Sequence, residues 1–207
     1  MEVRIRNDSV EIEGYVNAVE RKSKPLWSRI GQFVERICKG AFKRALQRND
    51  NVRILLNHDP ERDLGGTKDG NLELTEDSIG LHARAIIKDA DVVQKARNGY
   101  LVGWSFGFYD RDVEQKRDED GFILRDVRDM DLEEVSILDK SHTPAYDGTL
   151  VSVRSEATSV FYGETFADEI QIREIPNEET KEDSQQEKVE KTINYDEYEK
   201  LIADMKK

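Results

Sequence analysis

The sequence predicts a mainly β, α+β domain followed by an acidic tail, and three observations carry that reading. Short runs alternating polar and apolar residues recur from Val3 to Leu138, and helical spacing within that span is confined to two stretches. From about Ser155 the chain turns acidic and polar and, after Phe166, nearly lacks aromatics until Tyr195. With 207 residues, 37% hydrophobic and 37% charged, there is enough chain for one domain with a full core plus extensions. The expected division is a domain over residues 1–155, a largely disordered acidic linker over 156–190 and a short amphipathic helix over 191–207.

The opening stretches Val3 to Arg6 and Val10 to Val19 alternate with period two and read as a hairpin turning near Asn7 and Asp8. Gln32 to Ile37 continues as a strand, and Gly40 to Arg48 has helical spacing with Phe42, Ala45 and Leu46 on one face. Asn51 to Asp59 is an apolar strand ending in the polar group Asn57, His58, Asp59, and polar groups at a strand end are well placed to face a cleft. Asp69-Gly70 is a hairpin signal, and Ser78 to Ile87 alternates again, with His82 read as a surface histidine. Ala90 to Asn98 predicts a helix burying Val92, Val93 and Ala96, ended by Gly99.

The central stretch is Leu101 to Phe108, a buried strand by composition, in which Ser105 stands two residues from each of Gly103 and Gly107. Glycines at those positions permit close approach to the hydroxyl. Tyr109 to Gln115 and Gly121 to Val127 read as a charged hairpin with a solvated loop. In the strand Asp131 to Leu138, alternation puts Leu132, Glu134, Ser136 and Leu138 on one side and Glu133, Val135 and Ile137 on the other. An inward Glu134 needs a partner, because an unpaired buried carboxylate is costly.

The net charge is -12, and residues 156–207 hold fifteen acidic side chains against seven basic ones. That balance argues against nucleic acid as the main partner. Cys38 is the single cysteine, so an intramolecular disulfide and a cysteine-based zinc site are excluded, and a reducing setting fits. Three scattered histidines show no ligand spacing, and no metal or organic cofactor is expected. Met1 to Ile12 lacks the apolar stretch of a signal peptide and no run is long enough to span a bilayer, so a soluble protein is expected.

A hydrolytic serine needs a base within hydrogen-bond reach and a third group that orients the base. His58, Ser105 and Glu134 are candidates for base, nucleophile and orienter, and spacing alone offers no more than that. Asn57-His58-Asp59, Gly65, Gly103 to Phe108, Leu132 to Ile137 and Pro144-Ala145, in that order, resemble the motifs of the prohead proteases of tailed phages. Glu35 to Phe42, a strand running into Gly-Ala-Phe, resembles the same family, and the likeness covers about residues 10–150. These are capsid-maturation serine proteases related to the herpesvirus assemblins.

The resemblance implies a small closed β-barrel flanked by helices, with His58 as general base and Ser105 as nucleophile. In assemblins the third member is a second histidine, and the corresponding place here holds Glu134, with Glu133 and His142 as alternatives. The implied substrates are the scaffold or the scaffold-like segment of the major capsid protein, and the protease itself. The implied place of action is the assembling prohead in the host cytoplasm, and a homo-oligomer is possible by the same analogy. Two rivals stand beside this reading. A noncatalytic capsid-assembly scaffold explains the acidic tail and terminal helix equally well. An esterase fits the letters Gly103-Trp-Ser-Phe-Gly107, which here lie in a strand-like run instead of at a strand-to-helix turn.

Overall fold

The computed structural model describes residues 1–28, 31–117, 123–141, 154–155, 158–166 and 170–175. The elements begin with β1 (Glu2–Ile5), β2 (Val10–Ala18), β3 (Leu26–Ser28), β4 (Gly31–Ile37) and α1 (Ala41–Arg48). Then come β5 (Arg53–Leu56), β6 (Asp59–Gly66), β7 (Leu72–Glu76), β8 (Gly80–Ile87) and α2 (Ala90–Arg97). The long strands β9 (Leu101–Arg117) and β10 (Ile123–Asp139) follow, and then β11 (Arg154–Ser155), β12 (Thr158–Phe166) and β13 (Gln171–Glu174).

The first sheet grows from the opening hairpin. Val3, Ile5, Val10 and Ile12 are all buried, as period two requires, and Arg6 N–H closes the turn on the Ser9 carbonyl at 2.9 Å. β8 and β7 extend this sheet beyond β2, and β13 lies parallel on β1 at the other edge. Gly80 starts β8 where the two main chains nearly touch: an added Cβ would lie 1.9 Å from the Asn17 carbonyl oxygen.

The second sheet runs β11-β12-β9-β10-β4-β3, with β5 on β10 and β6 on β5. The expected closed barrel is corrected by this topology. A barrel gives every strand a neighbour on both sides, whereas β7 and β13 end one sheet and β3, β11 and β6 end the branches of the other. The cause is β10, whose first part pairs in parallel with β4 along Ile123–Val127 and whose last part pairs in parallel with β5 along Glu134–Ile137. The sheet therefore forks where a barrel would wrap, and the protein is mostly β with open, mixed sheets.

One core serves both sheets and both helices, joining Ile12 and Ala85 to Ile54, Phe106 and Val135, with Phe42 from α1 and Val92 from α2. α1 has no side-chain cap of its own; Glu76 of β7 accepts from Gly40 N–H at 2.5 Å and Lys43 N–H at 2.6 Å, a carboxylate where the helix dipole favours one. α2 is capped by Asp89, which accepts from Val92 N–H at 2.9 Å.

The charged hairpin read after Phe108 is the continuation of β9 and β10 themselves, and its second arm buries the charged side chains of Arg125 and Asp126. Arg125 and Glu35 are buried cross-strand partners with Nη1 2.9 Å from Oε2, and Arg125 Nη2 donates to Asp110 at 2.5 Å. Burial pushes the Glu35 carboxyl up to about 7 against the pull of Arg125. In the stretch expected as a linker, Thr158–Phe166 and Gln171–Glu174 form strands. Its other residues, except 170 and 175, and the helix expected over 191–207 lie outside the described residues.

Candidate active site

The site is built on the paired ends of β9 and β10. Ser105 is the cross-strand partner of Ser136, and Gly107 is the partner of Glu134. Residues two apart on a strand share a face, so Ser105, Gly107, Glu134 and Ser136 mark the corners of one patch. A register shift between Leu132 and Glu134 makes Glu133 the extra residue of a bulge, leaving Leu132 and Glu134 buried and Glu133 exposed.

His58 comes to this patch from the turn between β5 and β6. Leu56 pairs with Asp59, so Asn57 and His58 form a two-residue hairpin loop, and their φ values of 57° and 60° give the left-handed conformation that such a loop requires at both positions. Asparagine suits that region; histidine is held in it by its surroundings. Three bonds tie the turn to β10. Asn57 N–H donates to the Ile137 carbonyl at 2.9 Å, His58 N–H donates to Ser136 Oγ at 3.1 Å, and Asp139 N–H donates to Asn57 Oδ1 at 3.0 Å.

The imidazole consequently bridges the patch from corner to corner. His58 Nε2 lies 2.6 Å from Ser105 Oγ and Nδ1 lies 2.6 Å from Glu134 Oε1. The other oxygen of Glu134 accepts from Ser136 Oγ at 2.6 Å, which supplies the partner that a buried carboxylate needs. Ser105 is fully buried, and the side chains of His58 and Glu134 are each 10% exposed. A hydroxyl, an imidazole and a carboxylate in series can move a proton off the hydroxyl while the carboxylate offsets the charge that the ring gains.

All three leading sequence candidates meet here, although 29 residues or more separate any two of them. Glu133 does not join them, because the bulge turns it outward, and His142 lies outside the described residues. His82 is in the other sheet, edge-on to the Tyr15 ring with centroids 5.1 Å apart and 3.5 Å from Glu13. Sequence reasoning gave no role to Ser136 or Asn57; the signals were the alternation that placed Ser136 beside Glu134 and the polar strand end that placed Asn57 beside His58. Among the described residues, no group of three or more His, Cys, Asp or Glu side chains is arranged to hold a metal ion.

Over residues 1–161 the chain matches the family model of the caudovirus prohead serine protease. The chain belongs to that family. It is a serine protease, and the family places it in capsid maturation within the assembling phage prohead. Comparison with curated proteins and with solved structures gave no match. The matched segment takes in His58, Ser105 and Glu134 together with the Asn57 turn and Ser136.

Proposed function

We propose that this prohead protease cleaves peptide bonds with Ser105 as nucleophile, His58 as general base and acid, and Glu134 as the group that orients the imidazole. The observation that carries the reading is the pair of 2.6 Å contacts on the two ring nitrogens, one to Ser105 and one to Glu134. Ser105 Oγ attacks the scissile carbonyl carbon while its proton passes to His58 Nε2, and the Glu134 carboxylate stabilises the imidazolium. The proton then goes to the leaving amine, and water, activated by the same imidazole, releases the acyl group.

The substrates on this reading are the scaffold, or the scaffold-like segment of the major capsid protein, and the protease itself. The test is co-expression with the major capsid protein, comparing wild type and Ser105→Ala by gel and intact mass. Shortening of the capsid protein and of the protease in wild type alone is the expected result, and the masses locate the cuts. Equal shortening with Ser105→Ala, or none with either, overturns the assignment.

A further inference from the structure

The strand pair that carries Ser105 and Glu134 also carries Ser136, whose hydroxyl the proteolytic steps above leave unused. Ser136 is fully buried, faces Ser105 directly across the pair and stands two residues beyond Glu134 on the same face. Its hydroxyl meets two parts of the site at once: the His58 main-chain N–H at 3.1 Å and Glu134 Oε2 at 2.6 Å.

The directions of these bonds follow from the one group whose role cannot change. A main-chain N–H only donates, so Ser136 Oγ accepts from His58 and keeps its single proton for the carboxylate. An ionised carboxylate is an acceptor at both oxygens, so Glu134 Oε2 accepts a hydrogen bond from the Ser136 hydroxyl and Oε1 accepts one from His58 Nδ1–H. The neutral ring then has a bare Nε2, which accepts from the Ser105 hydroxyl. The ring tautomer follows from the carboxylate, and Ser136 bonds both that carboxylate and the main chain of the His58 turn.

We propose that Ser136 is a positioning residue that keeps His58 in the Nδ1–H tautomer by holding the Glu134 carboxylate and the His58 turn in one register. The proposal rests on the assignment of His58, Ser105 and Glu134 given above. Ser136 touches no substrate and acts through Glu134 and His58. Without its hydroxyl, Glu134 Oε2 loses its donor inside the protein and the His58 amide loses its acceptor at a residue with φ of 60°. The carboxylate is then free to rotate and the turn to shift, and a shift of the order of an ångström is enough to spoil proton transfer.

The test uses the full chain with Ser136→Ala and Ser136→Thr. For Ser136→Ala, kcat is expected to fall about 10- to 100-fold with KM within about twofold of wild type, in line with losing a hydrogen bond to a charged group. Ser136→Thr, which retains the hydroxyl, recovers most of that loss. The second readout is ¹⁵N NMR of histidine-labelled protein with the ring neutral. Wild-type His58 shows a protonated Nδ1 and a bare Nε2, and Ser136→Ala moves both signals toward a mixture of tautomers. Unchanged kcat together with unchanged nitrogen signals in Ser136→Ala overturns the proposal, as does a loss confined to KM. The spectrum needs no turnover, so a wild type that cannot cleave sinks the protease assignment while the spectrum still decides the role of Ser136.

Discussion

Ser105 and Ser136 are cross-strand partners, and both hydroxyls contact His58, one at ring Nε2 at 2.6 Å and the other at the main-chain N–H at 3.1 Å. A residue on a hairpin turn is thereby fixed at backbone and ring to one rigid strand pair. Sites built on strands hold their geometry more tightly than sites built on loops alone, and here the loop residue borrows that rigidity.

The identity of the orienting carboxylate is open to a direct comparison. Glu134→Gln is expected to lower kcat by about 10³- to 10⁴-fold, because an amide at that place can present a donor to Nδ1 and hold the wrong tautomer. Glu133→Gln, at the exposed bulge position, is expected to stay within about threefold of wild type. Steady-state cleavage of one peptide by both variants decides the matter, and the reverse ranking would move the role to Glu133.

Gly107 completes the patch on which the imidazole lies, and it is the corner without a side chain. An alanine there adds a methyl group on the face that carries Ser105 and Glu134, the two side chains that the ring bridges. Gly107→Ala is therefore expected to cut kcat/KM by about 10- to 100-fold while leaving the unfolding midpoint close to wild type, since misplacement of the order of an ångström is costly in rate. Full activity with an alanine there would show that the ring has room to spare.

The turn itself stores conformational cost at Asn57 and His58. Asn57→Ala loses the acceptor for Asp139 N–H and puts a less suited residue at φ 57°, so a destabilisation of about 2 kcal/mol is expected in urea unfolding. Asn57→Gly loses the same bond without the conformational cost and is expected to lose about half as much. Equal losses would mean that the bond alone matters.

The buried Glu35–Arg125–Asp110 group predicts a pH dependence of stability. The Glu35 carboxyl is raised by burial from its usual 4.5 to about 7, so between those values the native state keeps a proton that the unfolded chain has released. Its stabilising contribution is full below about pH 4.5 and is lost as the pH rises through about 7. The unfolding free energy of wild type minus that of Glu35→Gln is expected to fall by up to about 1.4 kcal/mol per pH unit across that window. A difference that stays flat from about pH 5 to pH 8 would remove Glu35 as the group responsible.

The amino-acid order was sufficient for most local elements and for naming the three side chains that the fold brings within hydrogen-bond reach of one another. Period-two alternation of polar and apolar residues marked β1, β2 and β8, the apolar stripes marked α1 and α2, and alternation placed Glu134 and Ser136 on one face, because these patterns depend on neighbours a few residues away. The order of motifs around His58, Ser105 and Glu134 pointed to the family that the match over residues 1–161 shows. β6 escaped because Asp59 to Gly66 is a largely exposed strand containing Pro60 and carries no apolar alternation to find.

Tertiary structure alone decided how those pieces meet. Whether the sheet closes depends on which strands β10 takes as partners, and its two ends chose β4 and β5, a matter of distant pairing that no local pattern encodes. The same holds for Arg125, whose partners Glu35 and Asp110 come from two other strands. It holds again for the link from the His58 amide through Ser136 to Glu134. A hydroxyl in a strand has the same appearance in sequence whether it makes a filler contact or bonds a histidine turn and a buried carboxylate, and only the turn folded back onto β10 separates the two.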